Sequence, residues 1–335
     1  VVLALLQSSR RRELYFCDLS KTFSIFPEFH DSAIVKGLGK VFFMESSRTK
    51  IIAFTNRKGG VGKSTMSVHT AAGLAARGLR VGLIDTDSQG HVALMLGLPE
   101  ENGLYDAMID KKPLDQAVRL VPPEVYTPAD RLSQGSLFVL PSSDRTYRIP
   151  YMLNPNEMLL FLEMLDQMAE WLQLDVIIID TNPTLNLFDG VVYLAVDGFV
   201  YVTECERLAL DGVVSALNQL QNFANQRKRY LNRPSCVLGV LPNKMRADTR
   251  LHRHNISKMS DHFGVDFVWN PVILRTVWAE AVNSRELVYT YAPDGYEAKD
   301  AWQIVQRIQT ALGNFDGAIA RSEEVLKKWQ LANES

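Results

Sequence analysis

Cysteine is scarce in this sequence, and Cys17, Cys205 and Cys236 stand far apart, with no Cys-x-x-Cys pair. That spacing argues against a disulfide framework or a zinc site and fits a reducing cytoplasm. No run of about eighteen apolar residues occurs, so nothing reads as a membrane-spanning helix. Excess charge is missing too: the formal net charge is −2 at pH 7. The chain is no polycation, and any contact with nucleic acid must come from a local patch. Internal repeats and low-complexity tracts are also absent.

What remains is ordinary globular material, 335 residues with 47% apolar and 22% charged side chains, enough for one large α/β domain. Val1 to Leu6 is apolar and is followed by Arg10, Arg11 and Arg12, the reverse of the charge order in a secretory signal. The first methionine, Met44, falls just before the first convincing strand. Residues 1–49 are therefore read as an N-terminal extension, either upstream of the natural start or a poorly ordered arm. Residues 50–335 are read as the folded domain.

Within that domain short apolar runs alternate with amphipathic stretches. Strands are expected at Ile51–Thr55, Val81–Ile84, Leu137–Pro141, Val176–Ile179, Phe199–Thr203 and Cys236–Leu241. Helices are expected at Lys63–Arg77, Glu157–Leu172 and Ala209–Arg227, and near 249–262, 297–312 and 316–330. The proline-punctuated segment 100–136 reads as a short helix and loops. Strands alternating with helices of this length imply a doubly wound, mainly parallel sheet covered on both faces.

The first strand runs into Asn56-Arg57-Lys58-Gly59-Gly60-Val61-Gly62-Lys63-Ser64-Thr65 and then into a helix. This strand–loop–helix setting is what a phosphate-binding loop requires. Glycines at 59, 60 and 62 let the backbone curl with its N–H groups facing an anion, and the helix start adds partial positive charge. Lys63 can reach the β- and γ-phosphates, and the Ser64 hydroxyl can ligate Mg²⁺. Arg57 stands where the strict P-loop pattern has its first glycine. Lys58 is a second lysine in the loop: either a surface residue, or a cation that a symmetric dimer would place against its partner's phosphates.

Two carboxylate segments follow. Ile84-Asp85-Thr86-Asp87-Ser88-Gln89-Gly90 lies just past a strand end, where α/β sheets bind ligands. A carboxylate there can hold Mg²⁺ through water or orient the attacking water, and the bland alternative is a helix cap. Asp175-Val-Ile-Ile-Ile-Asp180 is a hydrophobic strand ending in a carboxylate that would hold a water on Mg²⁺.

Lys58-Gly-Gly-Val-Gly-Lys63-Ser64 resembles the deviant Walker A motif of the ParA/MinD family of ATPases. The resemblance runs over roughly residues 50–312. It implies ATP with Mg²⁺, a sandwich dimer around two ATP molecules, and Lys58 acting across its interface. Asp87 matches the family's hydrolysis residue, Asp85 its metal-shell neighbour, and Asp180 its Walker B carboxylate. Asn243, in Leu241-Pro-Asn-Lys, matches the adenine contact. Ser88, Asn182 and Leu274 each replace a proline of the family pattern. No Asn-Lys-x-Asp guanine-reading motif is present, which favours ATP.

The task of such an ATPase rests on its surfaces. Residues 227–258 hold Arg227, Lys228, Arg229, Arg233, Lys244, Arg246, Arg250, Arg253 and Lys258 against Asp248 alone. A stripe of this kind suits sequence-independent phosphate contacts, although a solvated helix face would look the same. Resemblance to ParA implies non-specific DNA binding by the ATP-bound homodimer, with Arg250, Arg253 and Arg275 as candidate contacts. It also implies a ParB-like activator and a cytoplasmic, nucleoid-associated protein. Two alternatives stay open. One is a MinD-like membrane cycle on a C-terminal stripe of Phe315, Ile319, Leu326 and Trp329, opposed by Glu323 and Glu324. The other is a P-loop metabolic enzyme.

Overall fold

The structure is a computed structural model and describes residues 15–17, 41–43, 49–128, 133–153, 160–184, 186–205 and 207–333. Two short antiparallel strands, β1 (Tyr15–Cys17) and β2 (Val41–Phe43), and Thr49 are the described part of the N-terminal extension. The rest of that extension lies outside the described residues.

The main sheet is built from β3 (Lys50–Thr55), β4 (Arg80–Asp85), β5 (Arg119–Val121), β6 (Ser136–Leu140), β7 (Val176–Asp180), β8 (Gly198–Glu204) and β9 (Cys236–Asn243). Its order is β5-β6-β4-β7-β3-β8-β9. Every pairing is parallel except the antiparallel pair of β5 with β6. The sheet is thus doubly wound and mainly parallel, as the alternation of runs implied. Segment 100–136, expected to hold only a short helix and loops, also supplies the edge strand β5, whose three residues are too few to show a period.

Labelled in chain order, the helices that position the site are α1 (Lys63–Ala76), α2 (His91–Met95), α3 (Leu160–Leu172), α4 (Leu187–Ala195) and α5 (Arg207–Leu231). They continue with α6 (Arg250–Phe263), α7 (Thr276–Asn283), α8 (Val288–Tyr291), α9 (Tyr296–Gly313) and α10 (Phe315–Asn333). The first three residues of the helix expected from Glu157 lie outside the described residues. The pleat divides the core between two faces. Ile51, Ala53, Ile177 and Ile179 join Phe161, Leu165, Phe188 and Leu217 on one side. Ile52, Phe54, Val176 and Ile178 join Met66, Leu74, Ile304 and Ile308 on the other.

Helix α1 is buried over nearly its whole length rather than along one stripe. At Gly73 an added Cβ would lie 2.5 Å from Val305 Cγ2 and 2.7 Å from the Tyr289 hydroxyl, so glycine permits the close approach of α1 and α9. His69 ties α1 to the C-terminal half. Its Nδ1 lies 2.7 Å from the Thr65 carbonyl and its Nε2 accepts from the Val288 N–H at 3.1 Å. Tyr289 closes the contact by donating its hydroxyl to the His69 carbonyl at 2.9 Å.

The C-terminal stripe is packed on its own domain. Phe315, Ala318 and Leu326 of α10 are buried, and Phe315 and Ala318 cluster with Cys236 of β9. The Trp329 side chain lies outside the described residues. Among the described residues no helix is long and apolar enough to cross a membrane.

Candidate functional site

The site forms where β3, β4 and β7 end together. Register pairs Phe54 with Asp180 and Asp85 with Asp180, so the loop after β3 and both carboxylate segments leave the sheet side by side. Three threonine contacts tie these ends. The Thr86 hydroxyl and N–H both donate to the Asp180 carbonyl, at 2.8 and 3.0 Å, and the Thr181 hydroxyl donates to the Phe54 carbonyl at 2.8 Å.

The phosphate loop curls as its glycines suggest. Gly60 and Gly62 have φ of 76° and 96°, in the left-handed region that side chains avoid. At Gly62 an added Cβ would also fall 2.2 Å from Asn243 Nδ2. Gly59 has open space around it and no such φ, so nothing in this conformation demands a glycine there. Asn56 anchors the loop's start, donating to the Val202 carbonyl at 2.6 Å and accepting from the Lys58 N–H at 2.7 Å.

Lys63 is buried at the start of α1. Burial pushes its ammonium pKa down, while the charges of Asp180 and Asp87 hold it up. Asp180 is fully buried, and neither carboxylate oxygen makes a hydrogen bond. Burial pushes its pKa up to about 7, against the pull of the nearby Ser64 hydroxyl and Lys63. A buried carboxylate with two idle oxygens is costly unless a cation completes it. Mg²⁺ suits this place, because it takes few protein ligands and keeps several of its waters. Ser64 and Asp180 would hold it, and its charge would be offered to the phosphate oxygens. Among the described residues no group of three or more His, Cys, Asp or Glu forms a metal cage.

Asp85, expected in the metal shell, is bonded to backbone N–H groups here. Its oxygens accept from the Asp87 N–H at 3.0 Å and the Val92 N–H at 3.3 Å, so it pins the loop before α2. Burial and the neighbouring Asp180 raise its pKa well above the usual carboxylate range. Asp87 accepts from the Gln89 N–H at 3.1 Å, and its carbonyl takes a hydrogen bond from the Ser142 hydroxyl. Ser142 was missed in the sequence because nothing local links it to a loop 55 residues earlier. Asn182, where the family pattern has proline, accepts from the Thr184 N–H at 3.2 Å and so turns the loop by a side-chain bond.

Asn243, expected at the adenine, lies against the phosphate loop. Its Nδ2 donates to the Val61 carbonyl at 2.7 Å, and its Oδ1 accepts from the Lys244 N–H at 2.8 Å. Lys58 is exposed and ion-paired with Glu204 of β8.

The basic stripe breaks up. Arg227 belongs to the interior, a correction to its place in the stripe: it is 1% exposed, and its guanidinium bonds Asp197 Oδ1 at 2.6 Å and the Val196 carbonyl at 2.6 Å. Its spacing along α5 put it level with solvated neighbours, but the turn it faces is closed over by the ends of α4 and β8. Arg275 meets Asp300 at 3.0 Å and Glu297 at 3.6 Å and lies over the Tyr296 ring, so its charge is largely matched. Arg250, Arg253, His254 and Lys258 of α6, with Arg246 just before it, remain exposed.

Comparison with known proteins agrees with this geometry. Residues 49–233 match the AAA domain family described as AAA_31. The sporulation initiation inhibitor protein Soj of Bacillus subtilis is 32% identical over 251 residues, covering 73% of this chain and 92% of Soj. The chain belongs to the ParA/MinD family of ATPases. The chromosome partitioning protein ParA of Caulobacter vibrioides is 29% identical over 240 residues, covering 70% of this chain and 84% of that protein. Among solved structures, the ATP complex of a McdA variant from Cyanothece superposes with a TM-score of 0.63 at 18% identity, covering 80% of this chain and 98% of that one. That likeness bears on fold alone.

Proposed function

We propose that this chain is an ATP-hydrolysing DNA-partition protein. ATP with Mg²⁺ binds the loop from Lys58 to Thr65, with Lys63 on the β- and γ-phosphates and Ser64 and Asp180 on the metal. Two subunits then close face to face, and Lys58 crosses to the partner's phosphates. The dimer holds DNA without regard to sequence through Arg250 and Arg253. A ParB-like activator speeds hydrolysis, in which Asp87 orients the attacking water, and the subunits part and leave the DNA. The protein works in the cytoplasm, on the nucleoid.

The observation that carries this reading is Asp180, a fully buried carboxylate with both oxygens idle beside the buried Lys63 and next to a glycine-turned phosphate loop. The names of the relatives, chromosome partitioning protein among them, support the partition task. The exposed cations of α6 support the DNA surface. Packing of Phe315 and Leu326 into the domain speaks against a membrane-inserting C-terminal helix.

Nucleotide binding provides the test. Fluorescent ATP should bind the purified protein with Mg²⁺, and Lys63→Ala should abolish that binding. ATP bound as well without Mg²⁺, or by Lys63→Ala protein, would overturn the assignment of the loop.

A further inference from the structure

The loop's early lysine is held by its own chain. Its Nζ donates to Glu204 Oε2, and Lys244 Nζ lies 3.7 Å from Glu204 Oε1. Lys244 also donates to the Gly60 carbonyl, so the two lysines flank the phosphate loop with one carboxylate between them. This arrangement follows from the sheet. Register pairs Thr55 with Tyr201, and the Asn56 bond to Val202 and the Lys58 bond to Glu204 continue the same pairing beyond the strand end. On the other side Glu204 pairs with Asn243, next to Lys244. Side-chain exposure is 59% for Lys58 and 20% for Glu204, so the carboxylate is the more enclosed half of the pair and the lysine the more exposed.

We propose that Glu204 is an autoinhibitory latch: it retains Lys58 on its own subunit until ATP-bound subunits close, and Lys58 leaves it to reach the partner's nucleotide. The proposal rests on the reading of Lys58 as a residue acting across a dimer. Charge explains why the latch would give way. The γ-phosphate of a partner's ATP brings more negative charge than one carboxylate, in a site that excludes water as the subunits close. Lys244 then remains for Glu204, which is not left as an unpaired charge. Asn56 keeps the backbone of Lys58 in place while its side chain swings.

The contact costs the dimer little, since partly exposed ion pairs contribute modestly, and a two- to five-fold effect on its equilibrium is the expected order. Glu204→Gln keeps the size of the side chain and removes its charge. Two measurements on the full chain separate the latch from the dimer. In nucleotide-free protein, competitive acetylation of lysine amines read by mass spectrometry should show Lys58 reacting a few-fold faster in the variant. With Mg²⁺ and ATP, in an Asp87→Ala background that prevents turnover, sedimentation should show the variant dimerising two- to five-fold more tightly.

Equal acetylation of Lys58 in the two proteins overturns the latch. Faster acetylation with unchanged dimerisation also overturns it, and leaves Glu204 as a brace of the loop. If acetylation differs but neither protein dimerises with ATP, the dimer reading itself has failed, and the gating role of Glu204 falls with it. Equal melting temperatures would check that both proteins are folded.

Discussion

Asp180 and Asp87 lie in one site yet are held in opposite ways. The Asp180 carboxylate oxygens make no hydrogen bond, whereas Asp87 is held through the Gln89 N–H on its carboxylate and the Ser142 hydroxyl on its carbonyl. A residue that awaits an ion and a residue that awaits a water should respond differently to removal. Asp87→Ala should keep Mg²⁺–ATP binding and lower steady-state hydrolysis by about 100-fold or more, the usual scale for a proton-handling or water-positioning group. Wild-type turnover in Asp87→Ala protein would remove that residue from the chemistry. His69 gives a prediction in pH. Burial lowers its pKa from 6.5 to about 4, so the folded chain keeps it neutral while the unfolded chain takes up a proton. Its contribution is complete above pH 6.5 and is lost as the pH falls toward 4, up to about 3 kcal/mol in all. Melting temperature should therefore fall between pH 7 and 5, and fall less steeply in a His69→Gln protein, which is less stable at pH 7. Parallel pH profiles for the two proteins would contradict this. Single residues were legible in the sequence where chemistry fixes the residue type, as at Gly62, Lys63 and Asp180. They were not legible where a distant partner decides: the Asn243 amide meets the Val61 carbonyl across a long stretch of chain, and nothing local announces that contact.

At the scale of elements, the strands of the central sheet were readable because burial on both faces makes them continuous apolar runs. Helix α4 was not anticipated. Its sequence, Leu187 to Ala195, carries no solvent-facing period because every residue in it is buried. The Asn186–Asp189 capping box that starts it shows only as two bonds in the structure, at 2.8 and 3.0 Å. Helix α6 and the turn before α7 separate two kinds of arginine. Arg250 and Arg253 are exposed on α6, whereas Arg275 is matched by Glu297 and Asp300. Arg250→Ala and Arg253→Ala should each weaken DNA binding evenly across sequences and reduce the salt slope by about 1. Arg275→Ala should leave the slope unchanged and lower the melting temperature instead. A loss of slope at Arg275 equal to that at Arg250 would show that its ion pairs open on binding. Arg227 is the extreme case: Arg227→Met leaves Asp197 without its buried partner and should cost on the order of 3–5 kcal/mol in urea unfolding.

At the scale of the molecule, the phosphate loop, the Asp87 loop, Glu204 and the start of α6 all gather at the C-terminal edge of one parallel sheet. On the proposed reading, a nucleotide bound there would touch the loops that meet a partner, and dimer closure would then govern DNA binding. The central claim is that ATP licenses DNA binding, and retention of the protein on DNA of unrelated sequences tests it most directly. The measurement compares no nucleotide, ADP, ATP, and ATP with Asp87→Ala protein. The account predicts retention with ATP alone, persisting longest in the Asp87→Ala protein. Equal retention in every nucleotide state, or none in any, would contradict it.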